Sequence, residues 1–69
     1  MYITRFIVVN AMEEYLYEYR DAYMWVSELS RATMWATLEG AKLAADGTGS
    51  KFIQQISFTP TVVDEIRYK

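Results

Sequence analysis

The chain has 69 residues, 52% of them hydrophobic and 16% aromatic, with no cysteine, no histidine and a formal net charge of −2. That length suits one domain, residues 1 to 69, and buries only about 60% of the surface its unfolded chain exposes, so its packing must be dense or shared with another chain. Without cysteine and histidine there are no disulfides, no thiolate or imidazole metal ligands, no thiol nucleophiles and no histidine proton relays. The acidic balance disfavours nucleic acid, and the apolar content is too high for a disordered tail.

Residues 2 to 9 are rich in β-branched and aromatic side chains, with Ile3, Ile7 and Val9 on one parity and Tyr2, Phe6 and Val8 on the other. This predicts a strand covered on both faces. The same stretch lacks the basic start, long apolar run and small-residue cleavage site of a secretory signal, and no run approaches the ~20 apolar residues of a membrane span. The expectation is a cytoplasmic protein that makes no membrane contact.

Residues 10 to 26 read in two ways. As a strand over 15 to 26, Tyr15, Tyr17, Tyr19, Tyr23 and Trp25 share one parity, and Leu16, Ala22, Met24 and Val26 share the other. As a helix from Ala11, Asn10 caps with Glu13 three residues on, and Met12, Leu16, Tyr19, Tyr23 and Val26 recur at spacings of three and four. Tyr, Trp and Val favour the strand, whereas Ala11, Met12, Glu13 and Glu14 favour the helix.

From Ser27 to Ala45 the composition turns helical, with Ser27 or Ser30 as N-cap, and Asp46-Gly47-Thr48-Gly49-Ser50 stops the element. Two apolar stripes appear at 100° per residue: Leu29, Ala32, Ala36 and Leu43 with Gly40 beside them, and Met34, Leu38, Ala41 and Ala45 roughly opposite, with Trp35 between. A surface helix needs one such stripe, so Met34, Trp35, Leu38 and Ala41 are read as a face awaiting a symmetry mate, a partner or the chain's own tail. Phe52, Ile56 and Phe58 then alternate with Gln55 and Ser57 in a strand that Pro60 closes, and residues 62 to 68 can add a short edge strand or a tail. The whole predicts an α+β fold: a small antiparallel sheet with one main helix packed on it, in the order β-β-α-β with an optional short fourth strand, or β-α-α-β if residues 10 to 26 are helical. A homodimer is expected.

Catalytic motifs fail on inspection. Gly47-Thr48-Gly49-Ser50-Lys51 lacks the spacing of a phosphate-binding loop, and Ser27, Ser30 and Ser50 have no partner base, Lys42 and Lys51 included. Glu13, Glu14, Glu18, Asp21 and Glu28 share their segment with one base, Arg20, for a local charge of −4 against +2 elsewhere. Such a cluster either solvates a greasy protein or complements a basic partner. The tyrosines supply broad contact area at low entropic cost, suited to an interface or to the second layer of a small core; stacking of nucleic acid would need basic rather than acidic neighbours. The expected protein interface is therefore Tyr15, Tyr17, Tyr19, Tyr23 and Trp25 with Glu13, Glu14, Glu18 and Asp21. No cofactor, metal or enzymatic activity is expected.

A strand over 2 to 9, a strand over 15 to 26, a helix entered at Val26-Ser27-Glu28-Leu29-Ser30-Arg31-Ala32 and a strand over 51 to 58 make a layout that resembles small phage-encoded inhibitors. That group includes compact anti-CRISPR proteins and the small phage inhibitor of bacterial RNA polymerase. The resemblance covers most of the chain as layout and composition, without a diagnostic motif, and the loop from Asn10 to Glu14 departs from it in lacking a turn glycine. It implies a non-enzymatic protein of the host bacterial cytoplasm that blocks a host protein or defence complex by occupying a functional surface, a nucleic-acid-binding surface being one option. Two alternatives remain: an assembly subunit of a stable complex, or a small dimeric ligand-binding regulator.

Overall fold

The computed structural model describes residues 2 to 61 and 64 to 67. Its strands are β1 (Ile3–Val9), β2 (Tyr15–Tyr19), β3 (Ala22–Val26) and β4 (Phe52–Phe58), with one α-helix, α1 (Leu38–Thr48), and a single turn of 3-10 helix at Leu29–Arg31. The sheet has the order β3-β2-β1-β4, with antiparallel neighbours throughout. An antiparallel sheet with one helix agrees with the α+β expectation.

The stretch read as one strand over 15 to 26, or as a helix from Ala11, is a hairpin. Arg20 and Asp21 both take positive φ, 49° and 63°, the pairing of a two-residue type I′ turn. Asn10 organises a loop in place of a helix cap. Its Oδ1 accepts from the Met12 and Glu14 backbone N–H groups, both at 2.9 Å, and its Nδ2 donates to Glu14 Oε1 at 2.9 Å. Those bonds, with Glu13 at φ 61°, close the β1–β2 connection without glycine.

β1 and β2 share the register pair Val9↔Tyr15 and then splay. Residues 33 to 35 enter the gap. The Trp35 and Phe6 backbones exchange N–H···O bonds of 2.8 Å, the Thr33 N–H donates to the Leu16 carbonyl at 3.0 Å, and the Glu18 N–H donates to Thr33 Oγ1 at 2.8 Å. This corrects the helix start at Ser27: the backbone groups of the splayed strands need partners, and residues 33 to 35 supply them in extended form. The helix begins only after Thr37, whose Oγ1 accepts from the Gly40 N–H at 3.1 Å. It continues past Ala45 to Thr48 and ends on Gly49 at φ 75°. The Ser50 hydroxyl, just beyond, donates to the Val9 carbonyl and ties the helix exit to β1.

Val8 and Leu16 meet Ala41, Ala44 and Ala45 in the core, flanked by Phe6, Trp25, Trp35 and Ile53. The small helix residues let α1 lie close to β1 and β4. Gly40 lets the Trp35 ring lie against the first turn of α1, because a Cβ there would sit 3.2 Å from Trp35 Cδ1. The two helical stripes therefore do not exist as read: Leu29, Ala32, Met34, Trp35 and Ala36 precede the helix, and Ala41 is buried in the molecule's own core. The expected strand after Pro60 falls partly on Val62, Val63 and Tyr68, which lie outside the described residues; residues 64 to 67 have no regular structure. No helix among the described residues is long and apolar enough to cross a membrane.

Candidate functional site

Strand pleating divides the aromatic run. Val8 and Leu16 point to α1, so Val9 and the residues paired along its row point away. Tyr15, Tyr17 and Tyr19 belong to that outer face. The two-residue turn pairs Tyr17 with Met24 and Leu16 with Trp25, which reverses parity between the hairpin arms. Tyr23 and Trp25 therefore lie on the α1 side, contrary to the expectation that all five rings share a face. Trp25 packs against the core, and a Cβ on Gly47 would come 3.7 Å from the Tyr23 ring.

The outer face gathers other groups in exchange. Register places Met24 of β3, Ile3 and Arg5 of β1, and Phe52, Gln54, Ile56 and Phe58 of β4 on it. Trp35 pairs with Phe6 on the α1 side, so alternation turns Met34 outward. Ile7, Val9 and Val26 form its buried centre, while Tyr19, Met24, Phe52 and Phe58 are exposed by 55%, 56%, 53% and 42%. Tyr19 and Met24 sit on the β2–β3 hairpin, and Phe52 and Phe58 at the two ends of β4. The Tyr17 and Tyr19 rings stack at 6.2 Å between centroids and 15° between planes, and the Arg20 guanidinium lies 5.1 Å from the Tyr19 ring. The result is a stiffened aromatic ridge with a cation at one end.

The acids do not share this face as one patch. Glu13 and Glu14 sit in the β1–β2 loop, Asp21 sits at the far end of β2, and Glu18 points to the α1 side opposite Tyr23. Glu14 is half-buried and engaged by Asn10, which leaves Glu13 and Asp21 as exposed charges at the two ends of the tyrosine row. The Tyr23 phenol is held above its ordinary pKa, first by desolvation and then by the charge and hydrogen bonding of Glu18 and the charge of Asp21. Leu38 opens the first helical turn and is 36% exposed, away from the tyrosines in the sequence of elements.

The chain matches no protein-family model, no curated protein and no solved structure. Its chemistry is therefore read from geometry. Among the described residues, no group of three or more acidic side chains is placed to hold a metal ion. An open hollow of about 790 Å³ lies between the β1–β2 loop and the start of β4, lined by Glu13, Tyr15, Ser27, Lys51, Phe52 and neighbours. It is broad and largely polar, unlike the enclosed apolar pockets that bury small ligands. The wedge of residues 33 to 35 and the turn at Arg20 and Asp21, which shape the outer face, were missed by sequence reasoning. Three positive-φ residues that are not glycine left no compositional mark.

Proposed function

We propose that this chain is a non-enzymatic, cytoplasmic binding protein whose outer sheet face docks on a partner protein. The supporting observation is the face itself: Tyr19, Met24, Phe52 and Phe58 stay exposed on the side opposite α1, where the Tyr17 and Tyr19 rings also stack. Tyr and Met are enriched in interface centres, and a rigid ring pair loses little entropy on docking. Glu13 and Asp21 flank the row and favour a partner with basic groups at its rim. The specific form of the reading, inhibition of a host bacterial protein by a phage-encoded one, rests on the resemblance in layout. Self-association as a homodimer belongs to the same proposal.

Capture from bacterial lysate at low salt tests it. The wild-type chain is expected to retain a stoichiometric partner, Tyr17→Ala with Tyr19→Ala to lose it, and Leu43→Ala, on exposed helix surface, to keep it. A partner retained equally by all three proteins, or by none, overturns the reading.

A further inference from the structure

Which backbone groups of β4 face outward follows from the Phe6–Trp35 exchange. Phe6 directs its N–H and C=O toward Trp35, away from β4. Alternation then directs those of Ile3, Arg5, Ile7 and Val9 toward β4, where they meet Phe58, Ile56, Gln54 and Phe52. The N–H and C=O groups of Ile53, Gln55 and Ser57 consequently point off the free edge of the sheet. No backbone partner for them exists among the described residues.

Natural sheets blunt such an edge with lysine, proline, a bulge or brevity. β4 has none of these devices: its seven residues, Phe-Ile-Gln-Gln-Ile-Ser-Phe, contain no charge and no proline. It is also self-complementary. Run antiparallel to itself about Gln55, it places Gln55 opposite Gln55, Ile53 opposite Ser57, Gln54 opposite Ile56 and Phe52 opposite Phe58. The outward-pointing residues fall on the hydrogen-bonded pairs, giving about six inter-chain bonds. The Phe52–Phe58 pairs fall on the non-hydrogen-bonded positions, where side chains approach closest. Lys51 meets Thr59, and Pro60 lies just beyond the paired length.

We propose that two copies of this chain join through β4, edge to edge about a two-fold axis at Gln55, into one continuous eight-stranded sheet. The proposal gives the self-association suggested above its contact surface and rests on that reading. An uncharged edge lets two chains of net charge −2 meet without local repulsion. The four phenylalanine rings at the seam expose on the order of 400 Å² together. With the strand backbones, this lies at the low end of specific interfaces, so the dimer is reversible and depends on concentration. Its two outer faces merge on one side, so it presents two tyrosine rows to a partner.

Single-cysteine cross-linking tests the register, since the chain has no native cysteine. Under mild oxidation Gln55→Cys is expected to form a covalent dimer. Gln54→Cys is expected to remain monomeric, because its own copies would lie roughly 8 Å apart, beyond disulfide reach. In sedimentation velocity across a concentration series, Gln55→Pro should weaken the dimer at least tenfold with an unchanged circular dichroism spectrum, because that N–H serves only the seam. A wild-type dimer in which Gln55→Cys fails to cross-link, or Gln54→Cys cross-links equally, overturns the β4 seam and leaves homodimerisation standing. A monomer at every concentration overturns both. Amide exchange protection at Ile53, Gln55 and Ser57 in that monomer would assign the edge to the chain's own C-terminal residues.

Discussion

Asp21→Gly separates the hairpin from every continuous reading of residues 15 to 26 by the sign of its effect. Asp21 has φ 63° in the turn between β2 and β3. The left-handed region costs an L-residue roughly 1–2 kcal/mol, less for aspartate, and costs glycine almost nothing. Glycine gives back part of that gain, roughly 0.4–1 kcal/mol, through the greater freedom of the unfolded chain, so the expected net stabilisation is about 0.5 kcal/mol. Inside an uninterrupted strand or helix the same change would destabilise by roughly 0.5–1 kcal/mol. The side chain is exposed and engaged in no hydrogen bond among those described, so the backbone term dominates. Urea unfolding followed by far-ultraviolet circular dichroism should show the midpoint rising by roughly 0.2–0.5 M, with a melting temperature higher by about 2–4 °C. A midpoint that falls, at an unchanged slope, would refute the two-residue turn and with it the separation of Tyr17 from Tyr23.

Further outcomes follow from the core, the wedge and the hairpin. Leu16 is fully buried between the sheet and α1, so Leu16→Ala should cost about 3 kcal/mol, a large part of the roughly 3–10 kcal/mol available to a chain this size; chemical denaturation measures it. Thr33→Val keeps shape but removes the acceptor for the Glu18 N–H, and should cost about 1 kcal/mol while Thr33→Ser costs less, read from the same unfolding curves. Because the folded-state pKa of Tyr23 is raised, its contribution to stability is complete below the ordinary tyrosine value near 10 and is lost as pH rises through the folded value. Stability should therefore fall in the alkaline range, and Glu18→Gln should flatten that fall; ultraviolet phenolate titration with parallel melts would show it.

Local patterns of residue type determined a good deal of this protein. The alternation in residues 2 to 9 and 52 to 58, the glycine stop after α1 and the absence of reactive side chains each depend on neighbours a few positions apart, so β1, β4, the helix terminus and the α+β class were legible. Tertiary structure decided the rest. Whether Tyr23 shares a face with Tyr17 depends on a chain reversal at Arg20 and Asp21, where aspartate stands without the glycine that marks a tight hairpin turn. Residues 27 to 37 have helical composition but meet a stronger demand, because two diverging strands leave backbone groups that only an inserted extended segment satisfies. That same insertion packs half-buried Trp35 against the core and turns Met34 to the outer face. A face assembled from four strands and a wedge exists only once those long-range hydrogen bonds have closed.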